Sequence, residues 1–597
     1  MSSVPERAEI PDPYKWDLGS VYATDGEWEA AYESVEGRLA DLERFEGRAT
    51  EDGETLLAAL ECRDEVMRQL STVAAYAQMR ADEDTRDQTY QAMESRARAL
   101  SSEASSAASY LEPEIQSLSR ERLDSMIEAT AGLERYDHYL DDVIRVAPHT
   151  RSAEVEALLS DLGEVISTAG EVFNLLTNAD MTFPTVERPD GEAVEITQSN
   201  FTRLLKEPER GFRQTVYESF YEELSAVRNT LSTTLAKSVR ADVKLARVRN
   251  YETAREASMD GPNVPVDVYD TVVGTVRDNV DVLHRHADLK RRVLDVDELR
   301  MWDVYMPVAD TGSPDVEYEE ATAHVIDAVA PLGEDYRSRV EAGIDSGWID
   351  VYENQGKQSG AYSGGTYDTH PYILMNYQDD LTDMYTLAHE LGHSLHSELS
   401  SEEQPYVYAD YSIFVAEVAS MVNEALLTYH LLDTVEDDDF RRHVLNEYVE
   451  RFRSTLYRQS MFAAFELDVH EISEADGALT PDRFDEVYGE IKREFYDPVA
   501  FDDHIDREWM RIPHFYYGYY VYQYATGMSA AVAIARRIVE EGASAADDYL
   551  DALRLGSSAY PMEILATAGV DMTTAAPVES AVDAYDEALA ELSALVD

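Results

Sequence analysis

Apolar residues recur along most of the chain at the spacing of amphipathic helices. An early example, with steps of four, three, four and three positions, is the set Trp28, Tyr32, Val35, Leu39 and Leu42. Side chains at this spacing form one apolar stripe along a helix, and polar side chains cover the other faces. The pattern therefore predicts a helical lobe over residues 1–110 that carries no chemical motif, and helices through most of the remaining chain.

Two segments interrupt the helical pattern. Residues 181–194 contain the turn sequence Pro189-Asp190-Gly191, which is typical of a hairpin or loop. Residues 350–377 contain four glycines and end in the strand-favouring run Tyr372–Tyr377. Helical spacing resumes at Leu381 and continues to the end. The sequence therefore predicts a mostly α fold with one small β-sheet next to the helix that begins near Leu381.

The composition adds a strong acidic bias. The 597 residues include 50 Lys and Arg against 119 Asp and Glu, for a net charge of −69, and lysines number only seven. Hydrophobic residues still make up 44%, which is enough for a packed core and argues against a disordered acidic chain. Such charge repels itself at low salt and is screened in concentrated salt. We therefore expect a halophilic cytoplasm, and we exclude nucleic acid as a partner because polyphosphate requires a basic face.

Cysteine usage and the N-terminal sequence restrict the compartment. Cys62 is the single cysteine, which excludes a disulfide framework and a cysteine-based structural zinc site. The first residues lack the basic and apolar regions of a targeting segment, and no stretch approaches 18 consecutive apolar residues. These features predict a cytoplasmic protein with no membrane partner.

The main chemical motif is an HExxH sequence inside the predicted helix that follows Leu381. His389 and His393 are four positions apart, so a helix places both imidazoles on one face, where they can share a tetrahedral zinc ion. Glu390 lies ~100° around the helix, where a general base next to the metal is needed. The alternative interpretation is a pair of surface histidines, which fits poorly beside a glycine- and tyrosine-rich strand region.

A catalytic zinc needs a third protein ligand. Residues 412–427 form an almost wholly apolar run with Glu417 as its first acid, and a carboxylate there is costly to bury unless it binds a metal or a partner. Glu424 lies ~10 Å further along the helix, too far for the same metal, and we expect it to support a ligand histidine. The same distance argument excludes His396 as a ligand.

The spacing also separates classes of zinc peptidase. The metzincin pattern requires glycine and histidine where this chain has His396 and Leu399. Thermolysin-like and aminopeptidase-like patterns would need glutamate where Ser412 and Ile413 stand. Neither pattern fits, so a zinc site here requires the longer spacing to Glu417.

A third region of interest is the tyrosine-rich segment (residues 511–527). It contains His514 together with Tyr516, Tyr517, Tyr519, Tyr520, Tyr522 and Tyr524. An aromatic core stripe is one interpretation, but so many phenols and an imidazole would each need a polar partner in a dry core. We expect at least two of these side chains to face the substrate, where they could donate hydrogen bonds to an oxyanion. Their spacing does not decide which tyrosines these are.

These motifs together resemble the oligoendopeptidase F group of the thimet oligopeptidase family of zinc peptidases. The resemblance covers nearly the whole chain and extends to Pro13–Leu18, Lys357–Tyr362, His370–Tyr372, residues 414–424 and residues 557–572. It implies a zincin-type helical clamshell with a deep substrate channel. It also implies three domains: the helical lobe at 1–110, an oligoendopeptidase F-type helical domain at 111–198 and a catalytic domain at 199–590.

The resemblance assigns the roles of individual residues. It implies that His389, His393 and Glu417 bind one Zn²⁺ per chain and that Glu390 is the catalytic acid and base. It implies substrate binding by His514, and by Tyr517 and Tyr520. The strand region at 359–376 would align the peptide backbone by strand addition.

The sequence therefore predicts a zinc-dependent endopeptidase that hydrolyses internal bonds of short peptides. A metallocarboxypeptidase with the same zinc site is the main alternative, and a non-catalytic peptide-binding protein is the alternative outside enzymes. An intact Glu390 argues against the binding protein, because a binder needs no base beside the metal. Side-chain preference and oligomeric state stay open.

Overall fold

The structure, a computed structural model, describes residues 4–309 and 312–596. It is predominantly helical, as the apolar spacing predicts. The helices of the first half of the chain are α1 (Asp25–Glu43), α2 (Gly53–Glu83), α3 (Gln88–Ala108), α4 (Leu111–Gln116), α5 (Arg120–Ala129), α6 (Asp137–Arg145), α7 (Ala153–Asp161), α8 (Gly163–Leu175), α9 (Phe201–Leu204), α10 (Arg210–Ala226), α11 (Arg228–Val248), α12 (Ala254–Asp260), α13 (Val266–Asp278) and α14 (Val280–Val293).

The helices of the second half include the two that carry the metal-ligating candidates. They are α15 (Tyr318–Ala328), α16 (Glu334–Asp345), α17 (Leu381–Glu403), α18 (Ile413–Thr434), α19 (Asp438–Arg451), α20 (Arg458–Glu474), α21 (Pro481–Tyr496), α22 (Tyr522–Glu541), α23 (Ala543–Leu553), α24 (Pro561–Thr567) and α25 (Ala576–Val596). Among the described residues, none of these helices is both long and apolar enough to cross a membrane.

Two small sheets interrupt the helices. Strands β1 (Thr185–Glu187) and β2 (Ala193–Glu195) form an antiparallel hairpin where the helical pattern is predicted to be interrupted. Strands β3 (Ile349–Tyr352), β4 (Tyr362–Gly364) and β5 (Tyr372–Tyr377) form a second sheet in the order β3-β5-β4. Strand β5 is parallel to β3 and antiparallel to β4, so β4 is an edge strand. The mostly α fold with a small sheet beside α17 is confirmed, and the hairpin adds a second sheet.

Contacts divide the chain into two units, each assembled from three stretches. The first unit contains residues 1–147, 315–430 and 534–569, and the second contains residues 148–314, 431–533 and 570–597. The predicted domain borders at residues 110 and 198 rest on the family resemblance, and they stay predictions.

The core of the first unit joins its N-terminal helices to the three-stranded sheet. Trp28 of α1 is fully buried and its indole N–H donates to the Val73 carbonyl of α2 at 2.9 Å. The same apolar cluster extends to Tyr372 and Leu374 of β5. The helical lobe predicted at 1–110 therefore packs against the sheet that supports α17.

The second unit buries charge as well as apolar surface. Glu508 accepts hydrogen bonds from Arg458 at 2.8 Å, Lys492 at 2.7 Å and Tyr488 at 2.7 Å. Burial alone would raise the pKa of Glu508, but Arg458 and Lys492 hold it well below its usual range. Glu508 thus connects Arg458 of α20 with Lys492 of α21. Each of these buried charges has an oppositely charged partner, which offsets the cost of removing it from water.

Candidate metal centre

The HExxH motif lies in the middle of α17, a helix with a defined start. The Asp380 side chain accepts the backbone N–H of Asp383 at 2.9 Å and caps the helix N-terminus. Leu387, Leu391 and Leu395 are buried and anchor the helix. The remaining face presents His389 and His393 one turn apart, as the spacing predicts.

Gly392 lets α18 approach this helix closely. A Cβ atom at Gly392 would lie 2.6 Å from the Cα of Ser420 and 2.8 Å from the carbonyl oxygen of Ala419. Any larger residue would push the two helices apart. The contact brings Glu417, which lies on the same part of α18, alongside the two histidines.

The three predicted ligands converge. The Nε2 atoms of His389 and His393 are 3.1 Å apart. The Glu417 Oε2 atom lies 3.5 Å from Nε2 of His389 and 3.8 Å from Nε2 of His393. Among the described residues, this is the only group of three or more histidine, cysteine or acidic side chains whose donor atoms lie close enough to share a metal ion.

The donor set fits a zinc ion. Zinc is bound by histidine nitrogen and carboxylate oxygen at roughly 2.0–2.2 Å, so neighbouring ligands of a tetrahedral site lie roughly 3.3–3.6 Å apart. The observed separations of 3.1, 3.5 and 3.8 Å bracket this value. Two imidazoles and a carboxylate supply three ligands, which leaves the fourth position of a tetrahedral site open.

Glu424 supports one of the histidines, as the sequence predicts. Its Oε1 atom lies 2.9 Å from Nδ1 of His389. Burial lowers the pKa of His389, but the hydrogen bond and charge of Glu424, together with the charges of Glu390 and Glu417, raise it overall. The carboxylate fixes the orientation of the ring and keeps Nε2 directed at the other two donors.

His393 has the opposite electrostatic environment. Burial and the neighbouring His389 lower the pKa of His393 to about 4. A neutral imidazole has a lone pair available for a metal. The two histidines are therefore unequal: one is supported by a carboxylate, and the other is held neutral by burial.

Glu390 is buried beside the ligand cluster. Burial raises the pKa of Glu390 to about 7, and the charges of Glu417 and Glu424 add to the effect. A backbone hydrogen bond from Ser363 of β4 opposes it. The Ser363 hydroxyl also lies 2.8 Å from the Ser394 hydroxyl of α17. These contacts join the edge strand to the helix that carries Glu390.

His396 is not part of this cluster. It is buried, and its ring stacks on Tyr411 with centroids 3.6 Å apart. Burial lowers the pKa of His396 to about 3. This histidine is a buried residue about two turns along α17 from His389, in agreement with its exclusion as a metal ligand.

The tyrosine-rich segment belongs to the second unit, and its side chains divide into two groups. Tyr519 and Tyr522 are buried, and the hydroxyl of Tyr516 lies 2.7 Å from the Thr234 hydroxyl while its ring packs on Phe173. Tyr519 and Tyr522 are core residues of the second unit, as the core-stripe interpretation describes, and Tyr516 is half-buried beside them.

The other members of the segment are more accessible. Tyr517 is 57% exposed. The Tyr524 hydroxyl lies 3.4 Å from Nε2 of His514, and the His514 ring is nearly parallel to that of Tyr520, at 6.3 Å and 17°. Burial and the charge of Arg458 lower the pKa of His514, which favours the neutral imidazole. His514, Tyr520 and Tyr524 therefore form a polar cluster on one surface of the second unit.

Sequence reasoning missed the residues that hold these groups in place. Gly392 stands inside the motif, but its role appears only once α18 packs against it. Glu466 accepts the backbone N–H of Tyr519 at 2.7 Å, and Tyr519 has a positive φ of 57°. No spacing rule links residues 53 positions apart, so only the tertiary structure brings Glu466 to this segment.

Known proteins resemble the whole chain. The profile of peptidase family M3 matches residues 203–584, and that of oligopeptidase F matches residues 114–183. Oligopeptidase PepF of Bacillus subtilis is 40% identical over 596 residues, covering 100% of this chain and 89% of the relative. The group B oligopeptidase PepB of Streptococcus agalactiae is 40% identical over 591 residues, which cover 99% of this chain and 98% of the relative. The crystal structure of oligoendopeptidase-F from Enterococcus faecium has a TM-score of 0.74 at 35% identity, covering 96% and 99% of the chains.

Proposed function

Because the chain belongs to peptidase family M3, we propose that it is a zinc-dependent endopeptidase that hydrolyses internal bonds of short peptides. The observation that carries the proposal is the convergence of His389, His393 and Glu417 beside a buried Glu390. Full-length relatives named as oligopeptidases support the substrate class.

We propose that His389, His393 and Glu417 hold the metal and that Glu424 holds His389. A zinc ion bound in this way would lower the pKa of a water molecule toward ~7 and polarise the carbonyl of the scissile bond. The ligand residues themselves need no movement to reach this arrangement, since their donor atoms already lie within 3.8 Å of one another.

Glu390 is the proposed general base and acid. Its carboxylate takes a proton from the attacking water and then delivers this proton to the leaving amine. Burial raises the pKa of Glu390 and favours its protonated form as a donor to the leaving amine, whereas the positive charge of a bound metal would favour the carboxylate that accepts the proton. Burial, which causes the shift, also keeps bulk water away from the transferred proton.

We propose peptide contacts for strand β4 and for the tyrosine-rich segment. In the first unit, β4 has one side of its backbone unpaired within the described sheet, and a peptide could add there as a further strand. In the second unit, we propose that His514, Tyr520 and the exposed Tyr517 donate hydrogen bonds to the substrate.

The decisive experiment is hydrolysis of an internally quenched peptide with both ends blocked. Wild type and Glu390→Gln are compared in multimolar KCl, as the acidic composition suggests, and the metal content of each is measured. Cleavage by wild type and at least a thousandfold loss in the variant, at equal zinc content, is the expected result. A carboxypeptidase would leave the blocked peptide intact, and a peptide-binding protein would cleave neither blocked nor free peptides.

A further inference from the structure

A cavity of the first unit begins where strand β4 ends. Its volume is about 540 Å³, and its walls come from α2, α6, the C-terminal half of α17 and the segments that follow β4 and α17. All of these residues belong to the first unit. Gly364, the last residue of β4, lines the cavity, and Ser363 next to it donates a backbone hydrogen bond to Glu390. We call this cavity the β4 pocket.

A peptide that pairs with β4 would extend into this pocket. A backbone N–H of a strand points either to the partner strand or away from it. Because the Ser363 N–H donates to Glu390, it points away from β5, and Glu390 faces the unpaired edge of β4. Gly364 and Gly365 line the pocket and have no side chain that would keep a peptide backbone away. At roughly 3.3 Å per residue, a peptide with its cleaved bond beside Glu390 reaches the pocket within about three residues.

The direction of such a peptide follows from strand pairing. Strand β4 runs from Tyr362 to Gly364, so the chain moves from the neighbourhood of Glu390 toward the pocket. Antiparallel pairing is slightly more stable per residue than parallel pairing. A peptide in antiparallel pairing runs the opposite way, from the pocket toward Glu390. The peptide residue in the pocket therefore precedes the cleaved bond.

The walls of the β4 pocket combine tyrosine rings with acidic groups. The tyrosines are half-buried, and they are Tyr139, Tyr367, Tyr406 and Tyr411. Three acids line the pocket against one cation, Arg63, and they are Asp64, Glu398 and Asp410. Acids outnumber cations throughout this chain, so the excess alone does not indicate a ligand. The combination of aromatic faces with carboxylates does, because both attract a cation.

Two arginines already bind to the pocket walls through this combination. The Arg63 guanidinium lies 4.5 Å above the centre of the Tyr139 ring, and its Nε donates to Asp64 at 2.9 Å. Arg68 lies 4.8 Å above the Tyr367 ring and pairs with an aspartate in the same way. A planar guanidinium suits such a place, because it stacks on a ring and forms hydrogen bonds with a carboxylate at its edge. The pocket thus binds guanidinium groups of its own chain.

A third set of such groups has no arginine. Asp410 precedes Tyr411 in the chain and lines the pocket together with Tyr406. Asp410 is exposed, and its Oδ1 atom accepts the Tyr411 N–H at 2.8 Å. Burial raises the pKa of both tyrosines, and the charge of Asp410 adds to the rise. Among the described residues no lysine, arginine or histidine forms an ion pair with Asp410, so this set can bind a guanidinium group from outside the chain.

We propose that the β4 pocket binds an arginine side chain of the substrate, two or three residues before the cleaved bond. Asp410 is the carboxylate partner of this arginine, and Tyr406 and Tyr411 are its aromatic walls. The proposal rests on the proposed peptidase function and adds a side-chain preference to it. A bound arginine would also fix the register of the peptide on β4, because backbone pairing alone specifies register weakly.

The test uses end-blocked, internally quenched peptides of one sequence that differ at a single position. Arginine, glutamine or norleucine is placed in turn at each of the three positions before the cleaved bond, and mass spectrometry identifies that bond. Wild type is expected to have an about tenfold higher kcat/KM for arginine at the second or third position, since hydrogen bonds to charged groups have this strength. The preference should shrink as KCl is raised, because salt screens exposed charges.

Variants of Asp410 assign the preference to the pocket. Asp410→Asn removes the charge but keeps an acceptor for the Tyr411 N–H, and it should lose the difference between arginine and glutamine. Asp410→Lys should reverse the preference, so that a peptide with glutamate at this position is cleaved faster than one with arginine. A general loss of stability cannot produce such a reversal. Glu403→Gln removes an exposed acid of α17 that does not line the pocket, and it should keep the preference.

Three results would overturn the proposal. They are an equal kcat/KM for all three side chains, a preference for norleucine, and an arginine preference that persists in Asp410→Asn. The same replacements after the cleaved bond test the direction of the peptide, and a preference there that depends on Asp410 would overturn the antiparallel assignment.

Failure of the pocket can be told apart from failure of the peptidase function. If wild type cleaves none of the peptides, the peptidase proposal fails. Calorimetric binding of the arginine and glutamine peptides to wild type and to Asp410→Asn then tests the pocket alone. Equal affinity of wild type for the two peptides would overturn the pocket as well.

Discussion

The metal centre and the tyrosine-rich segment are held in place by different means. His389, His393 and Glu417 lie on two helices that touch through backbone atoms at Gly392. The segment with Tyr519 depends on side chains from distant parts of the chain, above all Glu466 and Thr234. A backbone contact leaves few alternative arrangements, whereas side-chain contacts can be altered one at a time. We therefore expect substitutions at the metal centre to abolish activity and substitutions around the segment to weaken substrate binding.

The largest effect is expected at Glu417. Glu417→Gln should lower the zinc content well below one per chain and reduce turnover by more than a thousandfold, because a neutral amide is a poor zinc ligand. Metal analysis after gel filtration and hydrolysis of the quenched peptide measure both effects. Glu403→Gln, an exposed acid near the end of α17, is the matched control and should change neither. Full zinc content in Glu417→Gln would show that the third ligand lies elsewhere.

A smaller loss is expected at Glu424. Glu424→Ala removes the carboxylate 2.9 Å from His389 Nδ1, and such supporting contacts are worth about 10–100-fold in metal affinity. Competition with a zinc chelator measures the dissociation constant, and activity should return when zinc is supplied in excess. Activity that stays lost at saturating zinc would give Glu424 a role beyond holding the histidine.

The smallest effect concerns Glu466, behind the tyrosine-rich segment. Burial raises the pKa of Glu466 to about 8, while His470 opposes the shift and Asp242 adds to it. The unfolded chain ionises near its ordinary pKa of about 4.3, so the folded state binds the extra proton between these two values. Glu466 therefore costs stability progressively as pH rises from about 4 to 8. Glu466→Gln, which keeps an acceptor for the Tyr519 N–H, should melt higher than wild type at pH 8 and nearly equally at pH 5.

Glu466→Leu completes this test. It removes the acceptor and should raise KM about tenfold while the zinc content stays unchanged. Melting curves at pH 5, 6.5 and 8 in one KCl concentration, with peptide kinetics at each pH, cover both variants. A melting difference between Glu466→Gln and wild type that does not vary with pH would contradict the assigned ionisation.

The same contrast explains what the sequence could predict. His389, Glu390 and His393 follow from helical spacing alone, and Glu417 follows from the cost of burying an acid in an apolar run. The helices could be predicted because the apolar stripe of a helix is a local signal in the sequence. The run Tyr372–Tyr377, predicted as a strand, is β5 in the structure. These inferences need only neighbours in sequence.

The tyrosines could not be sorted in this way. Tyr516, Tyr519 and Tyr522 turn inward because Thr234, Glu466 and other distant residues receive them. Tyr519 also has a left-handed backbone conformation, with φ 57°. The segment is therefore not a regular helix or strand at this point, and periodicity cannot tell which tyrosines face the core.

The discontinuous composition of the two units has a consequence for synthesis. The first unit needs residues 534–569 and the second needs residues 570–597, although both begin within the first 148 residues. A ribosome adds roughly 5–20 residues per second and delivers the N-terminus first. Residues 389–424 therefore leave the ribosome long before either unit has its last stretch. Neither unit has all of its stretches until residues 534–569 and 570–597 have been made, so a nascent chain carries the proposed metal ligands before either unit is complete.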